Sequence, residues 1–504
     1  MKGNDRRKFA KEGVRMKSVS VVQELMLING EWSSSVNSEF FPIESPAERG
    51  SVIAEVPRAT EEDVDIAVKA ANEAFKSWRE VPTTERGRAL WKIADAVEAQ
   101  AEELARTIST ETGNAIRTQA RGEVKSVIDI FRYFAGVVSE IRGSTCPIDN
   151  NLMAYTQREP YGVVGAIVPW NAPVQLSSLK IAPAIAAGNT IVLKAAEDAP
   201  LGVLKLAKIC AQFLPPGVVN VLTGFGAECG APLSKHPLVK KLTFTGSTAV
   251  GKTIMRTAAE RIIPVSLELG GKSPQIVFPD ANTDKVVDGI ISAMRFARQG
   301  QSCSAGTRLY LHTSIFDSFV EKLANKLSQL KVGNPLDEES DMGSIINKRQ
   351  FDKVSGFIEE GIKDENVELI MGGLPPKEGP LSQGYYHVPT LFTTKNDKTR
   401  LAKEEIFGPV LLIMPWENEE EVIQAANNSS YGLAAFVWTN DTTKALRTAG
   451  KIESGWIQIN RGGAQMPGLS YGGYKQSGIG REFSLEGMLE SYTQVKSIMI
   501  DFNN

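Results

Sequence analysis

The sequence predicts an α/β protein of two or three domains organised around parallel sheet, and three observations carry that prediction. A chain of 504 residues is too long to fold around one hydrophobic core. Between residues 162 and 245, short apolar runs alternate with helical patterns at the spacing of strand–helix–strand units, the arrangement that pairs strands in parallel. A second stretch of the same kind begins near Gly270. The 42% apolar and 23% charged fractions are those of an ordinary globular protein.

Residues 1–17 are rich in Lys and Arg but include Asp5 and Glu12 and lack an apolar segment, so they read as a solvated tail rather than a secretory signal, with Met16 as an alternative start. The tail is drawn to residue 24. Leu27-Ile28-Asn29-Gly30 then reads as a strand and turn. Thr60 caps a helix with Asp63 at the capping-box position, and Val64, Ala67, Val68 and Ala71 follow at helical spacing. Helical patterning continues over 86–136, broken near Gly113 and Asn114.

Residues 144–161 change to short strands around Asp149-Asn150-Asn151, a hairpin pattern. The run 162–169 is a buried strand, 176–187 a helix, 190–194 a strand, 202–213 a helix, and 218–222 and 241–245 strands, an alternation typical of dinucleotide-binding sheets. Residues 270–285 lead into the second α/β unit, which continues through 309–312, 316–330, 350–361, 410–414 and 420–426. The tail 495–502 alternates as an edge strand does.

A net charge of −3 provides no electrostatic footprint for nucleic acid or an anionic membrane. The longest apolar stretch, 163–193, is interrupted by Asn171, Gln175, Lys180 and Asn189, so no membrane span is expected. The four cysteines, Cys146, Cys210, Cys229 and Cys303, are scattered without a C-x-x-C pair, which fits free thiols in a reducing, cytoplasmic setting. His236, His312 and His387 have no metal-ligand spacing, so no metal is expected and a carboxylate is the better candidate for a general base.

Cys303 lies after Gly300-Gln301-Ser302 among small polar residues, the setting of a nucleophile more than of a packed thiol. Gly246-Ser247-Thr248-Ala249-Val250-Gly251-Lys252-Thr253 satisfies the phosphate-loop pattern, and Asp280 could serve as its magnesium ligand. A glycine-opened helix after a strand also receives the phosphates of a dinucleotide, so the pattern alone does not choose.

Seven segments in order resemble the aldehyde dehydrogenase superfamily from about Leu27 to Phe502: Pro169-Trp170-Asn171, Lys194 with Glu197, Phe244-Thr245-Gly246-Ser247, the run 268–274 beginning Glu268-Leu269-Gly270, Gly300-Gln301-Ser302-Cys303, Glu405-Ile406-Phe407 and Gly472-Gly473-Tyr474. The resemblance implies an aldehyde dehydrogenase-like fold: a Rossmann-type NAD-binding domain (25–143 and 162–270), an α/β catalytic domain (271–470), and a small β oligomerisation element (144–161 and 486–504). It implies NAD-dependent oxidation of an aldehyde to a carboxylic acid by a homodimer or homotetramer.

In that reading Cys303 is the nucleophile, Asn171 an oxyanion donor together with the Cys303 backbone N–H, and Glu268 the base that activates hydrolytic water. Asn171 could otherwise be a turn residue before Pro173. The cofactor would be held by Val168, Pro169, Trp170, Lys194, Glu197, Gly226, Gly230, Phe244, Thr245, Gly246, Ser247, Val250, Leu269, Gly270, Glu405 and Phe407. A carboxylate at Glu197 repels a 2′-phosphate, which favours NAD over NADP. Core packing for Phe407 and a solvated pair for Glu405 beside Glu404 are the alternatives.

The substrate would meet Ala172, Gln175, Leu179, Ser302, Gln465 and Tyr471. Leu179 stands where betaine-aldehyde enzymes carry an aromatic, which disfavours a quaternary ammonium. The loop 461–470 suggests a mouth able to take a bulky, aromatic or functionalised aldehyde. Arg298, five residues before Cys303 and where relatives often have asparagine, could lower the thiolate pKa or bind an acidic substrate, but reads better as a solvated or salt-bridged side chain and receives no role. A phosphate-loop NTPase and a non-catalytic structural protein are the rival readings.

Overall fold

The computed structural model describes residues 22–503. Most of the expected N-terminal tail, including Met16, lies outside the described residues. Its expected end at residue 24 is too late: Val22–Gln23 is a short strand parallel to Val52–Pro57, and the Glu24 N–H donates to the Glu55 carbonyl at 2.9 Å.

One mixed sheet holds the N-terminal half. Its strands run in space as Gly478–Ile479, Val265–Glu268, Val239–Thr245, Val163–Ile167, Thr190–Lys194, Val219–Leu222, Met26–Ile28 and Glu31–Ser33. The five central strands are parallel and the outer ones antiparallel. Parallel strands are covered on both faces, which explains their nearly uninterrupted apolar sequences. Val163, Val192, Leu222, Leu242 and Phe244 pack with Val64, Ala67 and Ala71 of the helix Glu61–Trp78. On the other face Val164, Ala166, Ile191, Leu193 and Val221 meet the helices Thr83–Ala99, Arg121–Val137, Pro173–Ala186 and Leu201–Cys210. Phe131 and Phe134 are wholly enclosed there, a burial that contributes about 1.5–3 kcal/mol for each ring.

Local signals were faithful guides here. Asn29 and Gly30 both adopt positive φ, as a two-residue hairpin requires. Thr60 and Asp63 cap each other reciprocally. The helical break comes at Gly113, which ends the helix Ala101–Thr112 in the left-handed conformation; a Cβ there would stand 2.4 Å from Ser344 Oγ.

The second sheet orders Val367–Met371, Thr390–Thr394, Val410–Trp416, Arg308–His312, Pro274–Val277, Ala434–Trp438 and Trp456–Ile459, all parallel except the first pair. The passage at 270–285 thus contains a central strand. Val367–Met371, Thr390–Thr394, Ala434–Trp438 and Trp456–Ile459 have no counterpart among the expected elements, because short apolar runs resemble buried helix segments.

A third sheet stands apart: Thr145–Asp149 and Leu152–Pro160 form a hairpin, and Thr493–Asp501 pairs antiparallel with its second strand from Thr493 opposite Pro160 to Asp501 opposite Leu152. The C-terminal strand is at the edge of this sheet, and Ile148, Met153, Val495 and Met499 are exposed. Among the described residues no helix is long and apolar enough to cross a membrane.

Candidate active site

In the first sheet the chain moves outward from Val163–Ile167 to Thr190–Lys194 and Val219–Leu222, then returns to place Val239–Thr245 on the opposite flank. Such a reversal opens a crevice beyond the carboxyl ends of the two diverging strands. Four segments singled out in the sequence leave neighbouring strands at that end: Pro169-Trp170-Asn171, Lys194, Thr245-Gly246-Ser247 and Glu268.

The helix Thr248–Arg261 points its N-terminus into this region, with Ser247 as its cap; the Ser247 hydroxyl accepts from Val250 N–H at 3.4 Å. Val250 itself is exposed. Gly251 is needed for packing, since a Cβ there would come 2.4 Å from Leu269 Cδ2. Lys252 is exposed, and the Asp280 carboxylate accepts from Thr439 Oγ1 at 2.9 Å and Asn440 N–H at 2.8 Å. Neither residue is arranged as a phosphate-loop site would need.

Lys194 Nζ pairs with Glu197 Oε2 at 2.8 Å, and Val168 N–H reaches the Lys194 carbonyl at 3.3 Å. Gly226 and Gly230 bound a short helical turn; a Cβ at Gly226 would meet nothing within 4 Å, so packing does not demand glycine there. The Thr245 and Thr248 hydroxyls are buried without protein partners among the described residues. Phe244 packs in the core, its ring 2.5 Å from where a Cβ on Gly246 would stand.

Trp170 meets Phe407 edge-on with ring centroids 5.4 Å apart, and Phe407 adopts φ 61°, a strained conformation for an aromatic residue. Glu405 accepts from Gly271 N–H at 2.9 Å and lies where a Cβ on Gly270 would come within 2.6 Å of its Oε2. Burial raises its pKa above the usual carboxylate range.

Beyond these residues is a cavity lined by Cys303, Asn171, Glu268, Gln175 and Tyr471, with Ala172 and Ser302 at its wall and Gln465 in the loop that closes it. A tight turn carries Cys303: Arg295, Gln299 and Gly300 all have positive φ, and a Cβ on Gly300 would lie 2.1 Å from the Gly408 carbonyl. Among the described residues the Cys303 backbone N–H donates to no protein acceptor. Burial pushes the thiol up to about 11; a hydrogen bond from Tyr471, 3.6 Å from Sγ, acts in the opposite direction.

Asn171 is buried and donates one amide hydrogen to the Gln301 carbonyl at 3.0 Å, leaving the other available. Its own carbonyl receives Asn114 Nδ2 at 3.4 Å. Glu268 has no hydrogen-bond partner on either oxygen among the described residues. Burial first, and then the charge of Glu482, raise its pKa well above normal, while Lys180 and Arg481 pull it down. Lys180 and Glu482 form a buried ion pair.

One expected substrate residue is misplaced. Leu179 is buried in the core below the site, and Leu176, one turn earlier on the same helix, lines the cavity with Phe483. No site role was expected for Glu482, for Asn114 at the helix break, or for Ser477, whose hydroxyl donates to the Gly270 carbonyl at 2.7 Å. The usable signal was Lys180, a lysine inside an otherwise apolar helix, which demands a buried counter-charge. Arg298, left without a role, lines the cavity.

A model described as "Aldehyde dehydrogenase family" matches residues 32–498. An aldehyde dehydrogenase of Vibrio cholerae is 41% identical over 480 residues, 94% of each chain. Among solved structures, the NAD+ complex of an aldehyde dehydrogenase from Bacillus cereus is 41% identical with a TM-score of 0.92, covering 95% of this chain and 97% of that one. Betaine aldehyde dehydrogenase from Staphylococcus aureus, in complex with NAD+, is 35% identical with a TM-score of 0.93, covering 96% of this chain and 95% of that one.

Proposed function

The chain belongs to the aldehyde dehydrogenase family, oxidoreductases acting on aldehydes, and from that membership we propose NAD-dependent oxidation of an aldehyde to its carboxylic acid through a thioester on Cys303. The observation that carries the reading is the meeting of the Cys303 thiol, a free Asn171 amide hydrogen and an unpartnered buried carboxylate, Glu268, in one cavity at the reversal of a parallel sheet.

The thiolate of Cys303 adds to the aldehyde carbon, and the oxygen that becomes negative is received by Asn171 Nδ2 and the Cys303 N–H. NAD, when bound, accepts the hydrogen and electron pair that leave the substrate carbon. The resulting thioester is opened by a water from which Glu268 removes a proton. Enclosure among apolar residues raises the basicity that this step needs. Lys180 and Glu482 carry opposite charges beside the base and adjust it electrostatically.

The crevice suits the cofactor: the Thr245 and Thr248 hydroxyls lack protein partners, the Gly226 position is open, and Lys194 with Glu197 offers donors and acceptors for a ribose. The Glu197 carboxylate favours NAD over a 2′-phosphorylated cofactor. Trp170, Glu405 and Phe407 would hold the reactive end.

The rings of Tyr471 and Phe483 with the amides of Gln175 and Gln465 support an aromatic or otherwise functionalised aldehyde as substrate. Exposed apolar residues on the third sheet support assembly into a homodimer or homotetramer, and free thiols suit a cytoplasmic setting. We divide the chain into a cofactor domain around the first sheet, a catalytic domain around the second and an assembly element at the third.

NADH formation, followed by ultraviolet absorbance over aliphatic, aromatic and charged aldehydes, tests the reaction. Turnover is expected, and should vanish in Cys303→Ala. A folded wild-type enzyme that binds NAD yet oxidises none of them would overturn the reading.

A further inference from the structure

The cavity contains a guanidinium that the reaction itself does not use. Arg298 lines it together with Cys303, and its Nε and Nη2 both donate to the Gln119 side-chain oxygen when that amide faces it, Nε at 3.1 Å, which leaves the Nη1 side of the guanidinium for a ligand. Among the described residues Arg298 makes no direct ion pair. Glu123 is the carboxylate whose charge reaches it without direct contact: its Oε1 accepts from the backbone N–H groups of Val174 at 3.1 Å and Gln175 at 3.2 Å, its Oε2 has no partner among the described residues, and burial raises its pKa while the Arg298 charge lowers it.

Two more arginines extend the same field. Arg295 is set back beside Arg298 and donates to the Gly463 carbonyl at 2.6 Å, and Arg461 stands exposed at the end of the loop that closes the cavity. Neither makes an ion pair among the described residues. The acidic residues of the cavity do not offset this charge: Glu482 is matched by Lys180, and Glu268 is held toward its neutral form by burial. A desolvated guanidinium with no carboxylate in direct contact is costly, and its remaining N–H donors are suited to receiving one.

We propose that Arg298 is a specificity-determining residue that binds a carboxylate on the substrate, so that the preferred aldehydes are short oxo acids whose acid group faces Arg298 while the aldehyde carbon meets Cys303. Arg461 and Arg295 draw the anion inward. The same field disfavours cationic aldehydes. The proposal rests on the aldehyde-oxidising reading of the cavity.

The test pairs a short ω-oxo carboxylic acid with its uncharged primary amide. For wild type, kcat/KM for the acid should exceed that for the amide by about tenfold or more, mostly through KM. Arg298→Gln should lose that preference and Arg298→Lys should recover part of it. Equal values for acid and amide in wild type, or a preference that survives in Arg298→Gln, would overturn the proposal. Binding of the dicarboxylate product by calorimetry supplies an arm independent of turnover. Product affinity that falls about tenfold in Arg298→Gln supports the anion site even where no aldehyde is oxidised, in which case the reaction reading fails alone. Product affinity unchanged in the variant sinks the anion site alone.

Discussion

The hydroxyl of Tyr471 stands 3.6 Å from the sulfur of Cys303, the one side chain placed to hydrogen-bond the thiol among the described residues. A donor at that distance stabilises the thiolate more than the thiol, so it lowers a pKa that burial has raised to about 11. Tyr471→Phe should raise it further. Alkylation of Cys303 by iodoacetamide at pH 8 should slow by about three- to tenfold, the loss in thiolate fraction for up to one pKa unit. An unchanged or faster rate would assign the hydroxyl another role.

Removal of the Glu268 charge should separate the two halves of the reaction. Glu268→Gln still forms the thioester but lacks the base for hydrolysis, so rapid mixing should give one burst of NADH per active site followed by turnover slowed about 10²–10⁴-fold. In wild type the hydrolytic step should quicken as pH rises through the elevated Glu268 pKa, since only the ionised carboxylate takes a proton. The absence of a burst in the variant would remove Glu268 from that step.

The buried Lys180–Glu482 pair should act on Glu268 with opposite signs. Glu482 raises the Glu268 pKa and Lys180 lowers it, so Glu482→Gln should move the acid limb of the kcat profile to lower pH and Lys180→Met to higher pH. Either change strands a buried charge and should cost about 3–5 kcal/mol of stability, measured by denaturant unfolding. Profiles that shift together would contradict the electrostatic account.

Gly270→Ala places a methyl group 2.6 Å from Glu405 Oε2 unless that side chain moves. A displaced Glu405 loses its bond from Gly271 N–H, and the affinity for NAD should fall about tenfold while the Cys303 alkylation rate is preserved. Fluorescence titration with NAD measures the first and alkylation the second.

Short-range rules made much of the fold legible. The Thr60–Asp63 cap, the Asn29-Gly30 turn and the helix end at Gly113 depend on residues adjacent in sequence, and the strands of the first sheet announce themselves by burial on both faces. Leu179 failed for the opposite reason: whether a helical residue faces the site or the core beneath depends on how deep the helix is sunk, which periodicity does not report. Glu482 was beyond reach because its importance comes from Lys180, 302 residues away, while Arg298 was legible as a candidate ligand for an acidic substrate but not as one without a directly paired carboxylate, which only the structure shows.

The pairing of Thr493–Asp501 with Leu152–Pro160 bears on biosynthesis. A ribosome adds about 5–20 residues per second, so the strand at 152–160 waits some tens of seconds for its neighbour. Throughout that interval a nine-residue edge remains open to neighbouring nascent chains. Tyr471 and Glu482, which line the cavity, also follow the hairpin by more than 300 residues, so the cavity is completed late in synthesis as well. Docking of Thr493–Asp501 covers that edge and moves the open edge of the sheet to the later strand.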